Sequence, residues 1–169
     1  MIAGTEGAGW TKAMQAAAIL GGSRVIIVLT LLLTAAAAWF MGIRKALWIM
    51  AGVAVAYLVN SALKAWIARP RPAEAWGIEV DGFSFPSGNA MLAIALYGMF
   101  AIWMGKYGKI GKGAKTAIGW IAVQLIVLIG WSRLYFSVHY ITDIIAGYAA
   151  GGFVVLLLMM VERKFGKSR

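Results

Sequence analysis

The chain has 169 residues, of which 62% are hydrophobic and 13% charged; a soluble domain carries about 25% charged residues, so most of this chain belongs in lipid, and its length suits a single domain. The formal net charge of +10 raises nucleic acid as a partner, but Lys and Arg fall in short clusters between apolar runs, not along one basic stripe, which argues against it. With no cysteine and one histidine, His139, the chain lacks the means for disulfides, thiolate catalysis and cysteine or histidine-rich metal sites, so no metal or other cofactor is expected unless carboxylates alone hold an ion.

Residues 1–22 lack the charged start, apolar core and small-residue cleavage site of a secretory signal, and no removal is expected. Within them, Trp10, Met14, Ala17 and Ala18 recur at helical spacing, with Thr11, Lys12 and Gln15 elsewhere. This pattern predicts an external interfacial amphipathic helix. Five apolar runs follow: Val25–Met41, Ala46–Ile67, Asn89–Met104, Ala117–Trp131 and Ile141–Val161. Crossing a hydrocarbon core takes roughly 20 residues, so the third and fourth runs must each borrow a turn from their flanks. Backbone groups in lipid must be satisfied internally, and no barrel-like alternation is present, so the spans are predicted to be helices. The expected fold is an all-α, polytopic membrane bundle forming one domain.

Orientation follows from the cations. Arg44 and Lys45, then Lys106, Lys109, Lys112 and Lys115, then Arg163, Lys164, Lys167 and Arg169 all fall on one side, predicted to be cytoplasmic together with the C-terminus. The other side, periplasmic or extracellular, receives Glu6, Glu74, Glu79, Asp81 and Asp143.

Three features on that outer side can carry chemistry. Span two ends in Lys64-Ala-Trp-Ile-Ala-Arg69-Pro70-Arg71-Pro72. The prolines oppose helix continuation, which leaves Arg71 in an extended turn above the helix end with Lys64 aimed at the same place. Arg69 taken alone reads better as a cation snorkelling to lipid headgroups. Span three opens with Pro86-Ser87-Gly88-Asn89, where free N–H groups and the helix dipole suit a phosphate oxygen, although Ser87 alone reads as an N-cap. Before span five, His139 and Asp143 stand at i and i+4, so the carboxylate can hold Nδ1–H and leave Nε2 as a nucleophile or base, while Arg133 adds a planar cationic fork. The loop Ala73–Gly82, with Trp76, could rim the entrance to this site.

Lys64-x6-Arg71-Pro72, Pro86-Ser87-Gly88 and Ser132-Arg133-x5-His139-x3-Asp143 resemble, in order and spacing, the three motifs of the type-2 phosphatidic acid phosphatase superfamily. Within it the chain is most similar to bacterial membrane phosphatases acting on phosphatidylglycerophosphate or undecaprenyl diphosphate. That group commonly carries one more span before the external helix; five spans with the N-terminus outside are expected here. The resemblance implies that Lys64, Arg71 and Arg133 hold phosphoryl oxygens with help from Ser87 and the Gly88 amide. His139 attacks phosphorus, Asp143 orients it, and a phosphohistidine follows. The implied partner is a lipid phosphate or diphosphate within the bilayer of the plasma (inner) membrane.

The family's second motif ends in histidine, the implied general acid, where this sequence has Asn89. A carboxamide has no proton to exchange near neutral pH, and general acid–base help is worth about 10² to 10⁴-fold, so turnover of lipid monophosphates should be impaired. Either the asparagine is an engineered replacement that disables turnover and holds a ligand, which the intact remainder of the motifs favours, or it is a natural variant that should prefer diphosphates. Two other functions compete: a non-catalytic lipid-phosphate binder, and a small channel or transporter using Asn60, Ser61 and Gln124. Such residues more often bond between helices, and Gly147-x3-Gly151 reads as close helix packing.

Overall fold

The computed structural model describes residues 5–166. Residues 1–4, the start of the expected interfacial helix, and residues 167–169, with two of the expected inner cations, lie outside the described residues. Helix α1, Thr5–Leu20, is followed by five helices long and apolar enough to cross a membrane: α2 (Ser23–Met41), α3 (Ile43–Ile67), α4 (Gly88–Tyr107), α5 (Lys112–Tyr135) and α6 (Ile141–Gly166). The two short runs do gain turns from their flanks, reaching 20 residues in α4 and 24 in α5. At about 1.5 Å per residue, 20 residues match a hydrocarbon core of about 30 Å.

Helices α2 and α3 form a hairpin that turns at Gly42, whose φ of 85° is the left-handed region that glycine enters without a Cβ clash. Helix α3 stops at Ala68, also left-handed, whose N–H closes on the Lys64 carbonyl at 2.9 Å. Pro70 and Pro72 then prevent resumption, as the sequence predicts.

Helix α4 is the axis of the bundle: 56% of its apolar window is buried, against 28% to 33% for the other spans. A π-helical segment, Ile94–Gly98, lies in its middle. Helix α6 crosses it closely, because a Cβ at Gly147 would come within 2.6 Å of the Ser87 carbonyl and one at Gly151 within 2.8 Å of the Met91 carbonyl. The small-residue pair therefore sets the α4–α6 distance. Leu31, Leu32, Leu58, Phe153 and Leu156 remain exposed on the outside of the bundle, where lipid chains would cover them, and Trp39 and Trp66 project near helix ends as interfacial aromatics do.

Helix α1 forms as predicted, but its small apolar stripe faces protein. Met14 and Ala18 are buried against Phe136 and Val138, with Ile78 and Val80 alongside, while Trp10 is half exposed. Two small alanines and one flexible methionine let α1 approach the α5–α6 link, which offers it a protein surface instead of lipid.

Candidate functional site

The C-terminal ends of α3 and α5 and the N-terminal ends of α4 and α6 meet beneath α1 and the loop 68–87. Asp143 stands in the first turn of α6 and is wholly buried. A buried carboxylate requires donors. Its Oδ2 accepts from the Tyr140 N–H at 2.9 Å and lies 3.3 Å from His139 Nδ1. Its Oδ1 accepts from Arg69 at 2.9 Å. His139 itself precedes α6 instead of opening it, since the helix begins at Ile141, yet the Asp143 contact forms because the link 136–140 folds back onto the helix start.

Arg71 spans the gap between the loop and the α5–α6 link. It donates to the Gly82 carbonyl at 3.0 Å, the Asp81 carbonyl at 2.9 Å and the Val138 carbonyl at 2.9 Å. One of its terminal nitrogens also lies 3.3 Å from His139 Nε2. Arginine can only donate, so this contact requires an Nε2 lone pair, and the remaining imidazole proton then sits on Nδ1 toward Asp143. Burial, then the charges of Arg71 and Lys64, push the His139 imidazole down to about 3 against the opposing pull of Asp143. The ring is therefore neutral near pH 7. Burial also lowers Arg71 below its ordinary value, with Asp143 and Asp81 opposing. Lys64, partly buried on the last turn of α3, donates to the Phe83 carbonyl.

Ser87 caps α4 and is fully buried: its Oγ accepts from the Ala90 N–H at 3.5 Å, and its own N–H donates to the Asp143 carbonyl at 2.9 Å. The Pro86–Gly88 turn rests on Asn60 of α3, whose amide donates to the Pro86 carbonyl at 3.3 Å. A Cβ at Gly88 would come within 2.9 Å of the Asn60 oxygen, so any larger residue there would displace the Asn60 side chain from the turn. The Asn89 amide donates to the Gly21 carbonyl at 2.7 Å, tying α4 to the α1–α2 turn.

Arg133, in the last turn of α5, is 4% exposed, and its Nε has no partner. A buried cation without acceptors is costly, and an anion would satisfy it. It lines a cleft of about 560 Å³ together with Arg71, Asn89, Gln15, Ser23, Glu79 and Asp81. His139 is not among the lining residues and stands next to Arg71, which is. An anion entering the cleft therefore meets the two guanidinium groups before the imidazole.

The predicted site residues Lys64, Arg71, Ser87, Gly88, Asn89, Arg133, His139 and Asp143 thus gather at one end of the bundle. Two participants escaped sequence reasoning. Arg69, expected at lipid headgroups, turns inward to Asp143 and Thr142 and stacks on Tyr140, 3.9 Å from the ring centroid. Asn60, read as a generic interhelical residue, supports the turn before α4; its position one helical turn before Lys64 was the available signal. Trp76 packs on Tyr135 and Phe136, with centroids 5.0 and 5.1 Å away, and so fastens the loop while Glu79 and Asp81 line the cleft.

A family model described as the PAP2 superfamily matches residues 45–167. Phosphatidylglycerophosphatase B of Bacillus subtilis (strain 168) is 35% identical over 112 residues, covering 66% of this chain and 55% of that protein, so the chain spans about half the length of this curated relative. The crystal structure of the first transmembrane PAP2 type phosphatidylglycerolphosphate phosphatase from Bacillus subtilis matches with a TM-score of 0.87 at 28% identity, over 99% of this chain and 82% of that one. The structure of Aquifex aeolicus LpxE shares the fold, with a TM-score of 0.69 at 20% identity over 89% of this chain and 86% of its own. A matched region running from the start of α3 to the end of α6, and a membrane bundle superposable over nearly its whole length, place this chain in the PAP2 superfamily.

Proposed function

We propose that the chain is a membrane lipid phosphatase with His139 as nucleophile, working at the outer face of the plasma membrane. The observation that carries this reading is the meeting of Arg133, buried with an unpartnered Nε, and Arg71, in contact with a neutral imidazole nitrogen, at one cleft. A phosphate monoester or diphosphate supplies the acceptor that Arg133 Nε lacks, charged oxygens for which Arg71 can exchange its neutral partners, and the phosphorus the imidazole needs. Its oxygens draw Arg71 off Nε2, whose lone pair then forms the N–P bond as the P–O bond to the lipid breaks. Lys64, Arg71, Arg133 and the Ser87–Gly88 turn hold the spread negative charge, and Asp143 keeps the Nδ1 proton in place. Water then cleaves the phosphohistidine and releases phosphate.

Asn89 occupies the position of the proton donor to the leaving oxygen, and its amide is committed to the Gly21 carbonyl. Lipid monophosphates, which leave as alkoxides, should therefore turn over slowly, and diphosphates should be preferred because phosphate leaves without needing that proton. Asn89 also supports a second reading, a lipid-phosphate binder that retains the cradle and does not turn over. Orientation rests on the positive-inside rule, with Arg44, Lys45, Lys106, Lys109, Lys112, Lys115, Arg163 and Lys164 at the end opposite the cleft.

The test is phosphate release from phosphatidylglycerophosphate, phosphatidate, undecaprenyl diphosphate and a lipid A phosphate, comparing this chain with Asn89→His. Phosphatidylglycerophosphate heads the panel because of the relative's name. Release by Asn89→His exceeding that of the parent chain is expected. No release by either protein overturns the enzyme reading, and tight vanadate binding without turnover establishes the binder.

A further inference from the structure

We infer that Arg69 is a positioning residue that lowers the proton affinity of His139 by keeping a cation on the far oxygen of the Asp143 carboxylate. Its effect adds to those of burial, Arg71 and Lys64. The inference rests on the reading of His139 as the nucleophile, for which a free Nε2 lone pair is the requirement. Asp143 is fully buried and divides its two oxygens: Oδ2 serves His139 and the Tyr140 N–H, and Oδ1 serves Arg69 at 2.9 Å. A buried carboxylate facing only an imidazole favours the imidazolium. A guanidinium on its other oxygen opposes that pull and adds a like charge that disfavours the imidazolium.

Arg69 is held for this task. The same nitrogen that reaches Asp143 donates to Thr142 Oγ1 at 2.8 Å, and the guanidinium lies over the Tyr140 ring. Its carbonyl accepts from the Ser84 N–H at 2.8 Å and the Ser84 hydroxyl at 3.3 Å, and Ser84 is fully buried. A headgroup-seeking arginine would need neither an inward-facing carboxylate nor a fixed backbone. The other charges around the pair are Lys64 at the end of α3, Arg71 beside Nε2, Arg133 at the end of α5, and Glu79 and Asp81 on the loop across the cleft; α1, α2 and α4 present Gln15, Ser23 and Asn89 there. Of these cations, Arg69 alone is hydrogen-bonded to the carboxylate.

His139 is the sole histidine, so ¹⁵N-imidazole NMR of the full chain in lipid nanodiscs reads its titration and tautomer without assignment. The native ring is expected to carry its proton on Nδ1 at neutral pH and to titrate well below the ordinary midpoint near 6.5. In Arg69→Gln the midpoint should rise by about one pH unit, a roughly tenfold gain in proton affinity. Arg69→Lys, which keeps the charge, should stay close to the native midpoint, and the acid limb of the phosphate-release profile should move with the NMR midpoint. An unmoved midpoint in folded Arg69→Gln overturns the inference. Should that variant fail to fold, the native chain decides: a ring protonated on Nε2, or titrating near 6.5, overturns it equally. Titration needs no turnover, so an inactive chain with a shifted midpoint sinks the enzyme reading alone, and an active chain with no shift sinks this inference alone.

Discussion

The two ends of the bundle both bring charges from several helices together, with opposite outcomes. At the end opposite the cleft, Glu162 of α6 takes the Lys106 ammonium at 3.0 Å and the Tyr107 hydroxyl at 2.5 Å, and Lys45 of α3 sits 4.3 Å above the centre of the Tyr107 ring. This group is closed and ties α3, α4 and α6 together. At the cleft end, one buried carboxylate, Asp143, already serves Arg69 and His139, so Lys64 and Arg71 find carbonyls and the neutral His139 ring, and Arg133 Nε finds nothing. A satisfied network stabilises a fold; a surplus of one sign kept under cover waits for a ligand of the other sign.

Substitutions can break that contrast. The largest effect is expected from His139→Ala, which should lower phosphate release by about 10⁴-fold or more while leaving the helical circular dichroism intact. Asn89→His should move the same assay upward by about 10² to 10⁴-fold. Arg133→Met, close in volume, should weaken vanadate binding by about 10² to 10³-fold and leave Tm unchanged or higher, because it removes a buried charge that has no partner in the empty cleft. A fall in Tm would mean that Arg133 is structural, and the contrast between the two ends would fail.

The smaller effects concern stability. Gly147→Ala must push α6 away from the Ser87 carbonyl, costing about 1–3 kcal/mol and shifting Asp143 with it, so both Tm and phosphate release should drop. Glu162→Gln, at the end opposite the cleft, should cost about 1 kcal/mol, discounted because Lys106 is partly exposed, and should lower Tm with no change in phosphate release. Acid sharpens the comparison further. His139 is held neutral in the folded chain and down to about 3, so below its ordinary midpoint near 6.5 the unfolded chain takes up a proton that the folded chain refuses. Stability should therefore fall as pH drops from about 6.5 toward 3, and Tm against pH for the parent chain and His139→Ala should diverge in that window.

The residues themselves determined a good deal. Apolar runs of bilayer length, most of the cations gathered in alternate loops, and prolines after span two sufficed for a helical membrane bundle with its polar site at one end, because each of these is a local rule of hydropathy, charge or backbone geometry. The spacing of His139 and Asp143 likewise foretold their contact, since both lie within one turn of chain. Only tertiary structure decided what Arg69, Asn60 and α1 do. Arg69 and Asp143 are 74 residues apart, and nothing in the spacing of Arg69 from Lys64 or Arg71 distinguishes an arginine bound for a carboxylate from one bound for a headgroup. That choice depended on how closely α6 could approach α4, and so on the glycines at 147 and 151, and on the carboxylate being buried once it did. The stripe of α1 was readable as apolar, but whether lipid or protein covered it depended on the surface offered by Phe136 and Val138, which exists only after the link before α6 has folded.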